Sequence, residues 1–359
     1  MLLIGDVVLT GLFVENAVQN KERICRLEPL TDTNKLIFAN LECPIYVKDS
    51  ENSFKPFIHT SSEEVYKSIL PKLGLSCVSL ANNHIYDCTM LGLKRTINLL
   101  DEINIKHTGA GWKKEHIDPV ILEEDGKKIA FIAYVDKSTN PKTESFPELF
   151  INYFDPENVV ADVKKIRNQV DYIICSIHWG NDYSNFFSKK QQEQAKFIID
   201  AGVDIIMGHH PHTIQPYEIY NDKHIFYSLG QLCFGDFIWD NNLRALKRKT
   251  KIGMIVEYNI DSSQIEKIIP TKELKGNYII IPKVNLTKKL NRLLRLNLLM
   301  FKNRFIKKLL RIKESFVDRL YEYFFGYYRN PFKQFFAFKN FKKITFALRD
   351  YKTSKKDKR

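Results

Sequence analysis

The sequence predicts an α/β fold, a layered sandwich of sheets with helices outside, extended by a basic helical arm. Two observations predict the body. Short apolar runs rich in β-branched residues recur along it, and helix-like stretches lie between several of them. A third observation predicts the arm: the charge is unevenly divided. The 359 residues carry a net charge of +13. From Lys283 to Arg359 there are 23 Lys and Arg against 5 Asp and Glu, a net of +18, whereas residues 1–282 hold 32 against 37, a net of −5. The basicity belongs to residues 283–359 alone, which separates a body, 1–282, from a basic, aromatic-rich tail.

The strand candidates are LLIGDVVL (2–9), LIFANLE (36–42), SCVSLAN (76–82), IAFIAYV (129–135), YIICSIHW (172–179), VDIIMG (203–208), HIFYSLG (224–230) and IGMIVEY (252–258). Their length and polar or Gly boundaries fit strands buried on both faces. Helices are predicted at 63–74, 90–104, 156–169 and 189–202, the last ending on Gly202 as a C-cap. In the tail, Leu294, Leu298, Phe301, Phe305, Ile312 and Phe316 recur at helical spacing opposite Lys and Arg, and 16 aromatic residues lie between Phe301 and Tyr351. Such a tail fits an in-plane helix on an anionic membrane surface, or an arm packed on the body or a second subunit. It carries no nucleic-acid-binding motif, and nucleic acid is not expected as a partner.

At 44% hydrophobic residues the chain can build a large core, which excludes a disordered protein. The six cysteines are scattered without a CxxC pair and read as buried hydrophobes in a reducing compartment. The opening MLLIGDVVLTG lacks the features of a secretory leader, and no run reaches the ~18 apolar residues of a spanning helix, so a cytoplasmic location is expected.

The chemistry gathers at strand exits. Each of five apolar runs is followed by carboxylate, carboxamide or imidazole: Gly5-Asp6, Asn40-Leu41-Glu42, Asn82-Asn83-His84 with Asp87, His178-Trp179-Gly180 and Gly208-His209-His210-Pro211-His212. Sheet-end loops are where α/β folds bind ligands, and this oxygen and nitrogen donor set suits Mn, Fe or Zn. A lone histidine after a strand is usually structural; five compatible strand ends argue for a metal site.

The blocks GDVVLTG, NLECPI, NNHIYD, GAGW, HWGNDY, GHHPHTIQ and YSLGQLCFGD, running to about residue 236, resemble the bacterial capsule-biosynthesis CapA family, named for poly-γ-glutamate synthesis. That family lies within the calcineurin-like metallophosphoesterase superfamily. The resemblance implies a calcineurin-like sandwich and a site for one or two divalent ions. It makes Asp6 a ligand of the first metal, Glu42 the bridge, Asn83, His178 and His210 ligands of the second, and His212 a return to the first. His84 resembles the histidine that faces the leaving group, as general acid or charge stabiliser. Asn40, Asn82, Trp179, Asp182 and Tyr183, beside the ligands, are read as substrate-binding. Departures from the pattern are Val8 where ordinary phosphoesterases have the histidine of Asp-x-His, Asp182 for Glu, Gln231 for Asn and Thr89 for Gly.

Several residues keep two readings. Asp87 either orients His84 or N-caps the 90–104 helix. His209 shapes the turn, because neighbours on an extended backbone face opposite ways while His210 and His212 face together. His59, His107, His116 and His224 are surface or structural. Trp179 and Tyr183 either wall a pocket or belong to the core. Gly5, Gly180 and Gly208 fit tight turns beside the ions. The function expected is metal-dependent hydrolysis of a phosphoester or anionic polymer in capsule, poly-γ-glutamate or exopolysaccharide biosynthesis. The alternative is a non-catalytic metal-binding scaffold of a capsule synthesis or export complex. Tail contacts with capsule-synthesis proteins or the inner face of the membrane accompany either.

Overall fold

The computed structural model describes residues 1–11, 34–55, 58–141, 143, 148–239, 242–244, 246, 249–274, 277–280, 286–303, 305–310 and 312–313. In chain order the elements are β1 (Leu2–Thr10), β2 (Ile37–Leu41), α1 (Glu63–Leu73), β3 (Cys77–Ser79), α2 (Thr89–Glu102), β4 (Lys106–Thr108), β5 (Ala110–Gly111), β6 (Val120–Glu124), β7 (Lys127–Val135), β8 (Phe150–Ile151) and α3 (Pro156–Ile166). There follow β9 (Tyr172–His178), α4 (Lys189–Asp200), β10 (Ile205–His209), β11 (Tyr217–Tyr220), β12 (Lys223–Phe226), β13 (Gln231–Phe234), β14 (Phe237–Trp239), β15 (Asn242–Arg244), β16 (Ile252–Asn259), β17 (Gln264–Leu274), β18 (Asn277–Ile280) and α5 (Leu286–Lys302).

Two large sheets face each other. The first runs β18-β17-β16-β1-β2-β3-β4, with β13 also pairing β1; the second runs β11-β12-β10-β9-β7-β6. Strands β1 to β4 are mutually parallel, as are β7, β9, β10 and β12. Between the sheets Leu3, Phe38 and Cys77 meet Phe131, Ile174, Met207 and Phe226. Phe38 stacks on Phe131 across this layer at 5.1 Å, and truncating either to Ala is expected to cost about 3–5 kcal/mol. Helices α1 and α2 bury Val65, Ile69, Leu93 and Ile97 against the outer face of the first sheet, and α3 and α4 bury Val159, Val163, Ile198 and Ile199 against the second. The result is a four-layer α/β/β/α sandwich with helices outside, as the sequence predicts.

Helix ends follow local chemistry. Ser62 Oγ accepts from Val65 N at the start of α1, and Gly74 closes it in the left-handed conformation. Ser188 and Gln191 form a capping box on α4, whose cap residue is Ala201; Gly202, at φ 116, is the residue beyond. Gly5 and Gly208 are not turn residues. They lie within β1 and β10, where an added Cβ would stand 2.1 Å from Gly230 O and 2.1 Å from Tyr227 O, so close backbone approach demands them.

Helix α5 lies beyond the boundary read at 282/283 and packs on the body. Leu286 and Leu290 are buried in the core between the sheets, and Leu294 and Phe301 pack on the core beneath α3 and α4. The start of the tail is thus part of the body. Phe316 and the aromatic stretch to Tyr351 lie outside the described residues.

Candidate metal centre

The parallel strands of both sheets deliver their C-terminal ends to one place. Asp6 lies in β1 at an irregularity in its pairing with β2; Glu42 follows β2, His178 ends β9, and His210 and His212 follow β10. All five are buried. Two clusters of ligand-competent atoms form there, each within 4.8 Å: Glu42, His178 and His210 in one, Asp6, Glu42 and His212 in the other. Glu42 belongs to both, the position a bridging carboxylate would hold.

The clusters are held from behind. Asp6 Oδ1 accepts from Asn40 Nδ2 at 2.9 Å and lies 2.9 Å from His209 Nδ1. Its other oxygen accepts from His210 N at 3.1 Å and lies 3.3 Å from His212 Nδ1. His178 Nε2 lies 2.8 Å from Asn83 Oδ1 and 3.4 Å from Glu42 Oε1, while Asn40 Nδ2 stands 3.3 Å from its Nδ1. Asn82 is fully buried, donating to Asn40 Oδ1 and Leu41 O and accepting from His84 N. Asn40 and Asn82 therefore spend their amides on Asp6, Leu41 and each other, contrary to their reading as substrate-binding residues.

Backbone strain concentrates here. The chain does not stay extended past His209: His210 has φ 92 and His212 φ 52, conformations that cost about 1–3 kcal/mol each outside glycine. His210 and His212 consequently serve different clusters, and the common-face argument from an extended backbone fails. His209, also fully buried, turns to Asp6. Thr89, read from the sequence as standing in place of a glycine, takes φ 49, a conformation that glycine adopts without strain. Gly180 at φ 93 is the one of the three predicted glycines that makes a turn.

Beside the clusters lies His84. Its Nδ1 is 2.6 Å from Asp87 Oδ2, and the N-cap of α2 is Cys88, so Asp87 orients the imidazole and does not cap the helix. Lys55, which the sequence reading missed, donates to Asp87 Oδ1 at 2.5 Å and to Asn83 O, and stands 3.4 Å from His84 Nδ1. Its side chain is only 6% exposed. His59, read as surface or structural, donates its backbone N–H to Asp87 Oδ2 at 2.6 Å and packs on His84 at 4.3 Å. These residues come from a connecting segment with no strand-end signature, so nothing in the pattern around them singled them out. Tyr183 faces His212 at 6.3 Å between ring centres, and Asp182, 62% exposed, lies 3.5 Å from His210 Nε2; both stand beside the second-sheet histidines. Trp179 is fully buried, donates to Tyr227 O and packs on Phe154 and Tyr227, which corrects its reading as a pocket wall. Val8 is also fully buried, against Phe234 and Leu246.

The electrostatics divide the carboxylates. Burial would raise the Asp6 carboxyl, but contacts from His209 and His212 hold it well below its ordinary value. Glu42 goes the other way: burial, then the charges of Asp6 and Asp182, push it well above. Among the described residues neither Glu42 oxygen has a hydrogen-bond partner. Burial drives His178 down and His210 to about 4. Burial and then the Lys55 ammonium lower His84. Neutral imidazoles around a buried, unpartnered carboxylate fit a divalent cation, because burying such an oxygen pair without a partner costs several kcal/mol. The donor set, O and N with no thiolate, suits Mn, Fe or Zn.

Fold and site together define a class: an α/β sandwich with a buried histidine–carboxylate centre at its strand ends. The chain belongs to the bacterial capsule synthesis protein PGA_cap family, whose model matches residues 1–236. It is 26% identical over 289 residues to the capsule biosynthesis protein CapA of Bacillus anthracis, covering 77% of this chain and 68% of that one. It is 27% identical over 262 residues to the PGA biosynthesis protein CapA of Bacillus subtilis, covering 72% and 66%. The chain thus spans about two thirds of the length of both relatives. Among solved structures, the calcineurin-like phosphoesterase YfkN from B. subtilis is similar with a TM-score of 0.42 and 12% identity, covering 78% of this chain and 87% of that one.

Proposed function

We propose that the protein is a metal-dependent phosphoester hydrolase acting in capsule, poly-γ-glutamate or exopolysaccharide biosynthesis. The observation that carries this reading is the pair of buried clusters sharing Glu42, with an oriented histidine beside them. Asp6, Glu42 and His212 would hold one ion, and Glu42, His178 and His210, with Asn83, the other. A divalent ion bound there supplies Lewis-acid polarisation of a phosphoryl oxygen. The protein's own residues do the rest. Asp87 holds Nδ1 of His84 and so directs Nε2, the nitrogen that would face a leaving group as general acid or charge stabiliser. Asn40, Asn82 and Lys55 keep these groups in place. The relatives' names associate them with capsule and PGA biosynthesis, which supports an anionic polymer or phosphoester as substrate.

The experiment is hydrolysis of a phosphoester panel by metal-loaded protein, with a His84→Ala variant of checked metal content. Turnover by the wild type, lost in the variant at equal metal content, supports the reading; absence of turnover across the panel supports the second one.

That second reading is a metal-binding scaffold that assists other capsule-synthesis proteins. The packing of Val8 among Phe234 and Leu246 favours it, because the first cluster gains no histidine from that position. Either reading carries a cytoplasmic location, supported by five free, buried cysteines. Among the described residues no helix is long and apolar enough to cross a membrane.

A further inference from the structure

Helix α5 has an inner and an outer face. Inside, Asn297 is fully buried and exchanges hydrogen bonds with the Phe187 backbone, accepting from N and donating to O at 3.0 Å each. This locks the helix to the body between Leu290 and Phe301. Outside, Lys288, Arg292 and Arg295 follow at i, i+4 and i+7 and, with Thr287 and Asn291, line an open groove of about 640 Å³.

Asn303 Oδ1 accepts from Phe305 N at 2.9 Å and Ile306 N at 3.2 Å, an N-cap that starts a second helical segment over 305–310 and 312–313. On it Phe305, Leu309 and Ile312 again fall at i, i+4 and i+7, and they are 68%, 49% and 43% exposed. Lys307, Lys308 and Lys313, also exposed, flank this stripe. An apolar stripe beside lysines, anchored through α5 to a rigid body and carried by a region of net charge +18, matches an anionic bilayer in both polarity and charge.

We infer that the outer face of α5 and the helical residues 305–310 and 312–313 dock on an anionic phospholipid bilayer. Phe305, Leu309 and Ile312 enter the acyl boundary, and the Lys and Arg side chains take headgroup phosphates. A stripe of three side chains is too short to span and inserts in the plane of the interface.

Flotation of the full chain with phosphatidylcholine vesicles, with and without phosphatidylglycerol, tests this. The expected result is binding only to vesicles containing phosphatidylglycerol, weakened by high salt. The triple variant Phe305→Ser, Leu309→Ser, Ile312→Ser should bind about tenfold or more weakly, as should Arg292→Gln with Arg295→Gln. All these positions are exposed, and unchanged metal content certifies each variant's fold. Three results overturn the inference. The wild type fails to float, or the triple variant floats as well as the wild type. Alternatively, the triple variant loses a concentration-dependent dimer while flotation is unchanged, which makes a second copy the occupant. Flotation needs no turnover, so its failure leaves the hydrolase reading standing.

Discussion

His84 Nδ1 lies 2.6 Å from Asp87 Oδ2, and the same carboxylate takes the Lys55 ammonium on its other oxygen. Asp87 therefore fixes both the tautomer and the direction of the imidazole. Asp87→Asn should leave the metal content unchanged and lower phosphoester turnover by about 10–100-fold. Parallel assays of kcat and elemental analysis check this; loss of metal in the variant would assign Asp87 to the metal shell instead.

Lys55 is buried against Asp87, its side chain only 6% exposed. Lys55→Met strands the Asp87 charge and should destabilise the fold by about 3–5 kcal/mol. Chemical denaturation reads the loss. A double-mutant cycle with Asp87→Asn should return much of it, because the stranded charge is gone. Additive effects would show that the two groups do not act as a pair.

Glu42 is pushed above its ordinary value by burial. Unfolded, it ionises near the usual carboxylate range, so in metal-free protein it disfavours the folded state as pH rises past that range. Metal-free Glu42→Gln should match the wild type in thermal stability at low pH and exceed it at neutral pH. With metal the order should invert, since ligand binding stabilises only the wild type. Thermal melts in chelator and in Mn, at both pH values, give the comparison.

His210 has the opposite linkage. Burial pushes it down to about 4 from an ordinary 6.5. Between those values the unfolded chain holds the proton and the folded chain does not, so its contribution is present above 6.5 and lost as pH falls toward 4. It amounts to about 3 kcal/mol at most. The stability difference between metal-free wild type and His210→Gln should rise across that window; a flat difference would place His210 in contact with solvent.

Much of this was legible in the chain. Strands buried on both faces announce themselves as β-branched runs, and parallel topology sends their exits to one edge, which is why Asp6, Glu42, His178, His210 and His212 could be gathered from four separate blocks. What periodicity could not show was direction. Trp179 and Asn82 stand at the right strand exits but point into the body, because burial of the indole on Tyr227 and of the carboxamide on Asn40 wins over proximity to the site. Lys55 and His59 reach Asp87 from a connecting segment with no apolar pattern, and only the folded chain brings them there. The start of α5 reads as tail by charge, yet its inner face is apolar and joins the core.

Glu42, shared by both clusters, would join two metal positions. Anomalous diffraction from crystals soaked in Mn tests it directly, with elemental analysis of the same protein. The account predicts one peak beside Glu42, His178 and His210 and a second beside Asp6, Glu42 and His212, both absent in Glu42→Gln. Folded wild-type protein without a peak at either cluster, or two peaks that persist in Glu42→Gln, would contradict it.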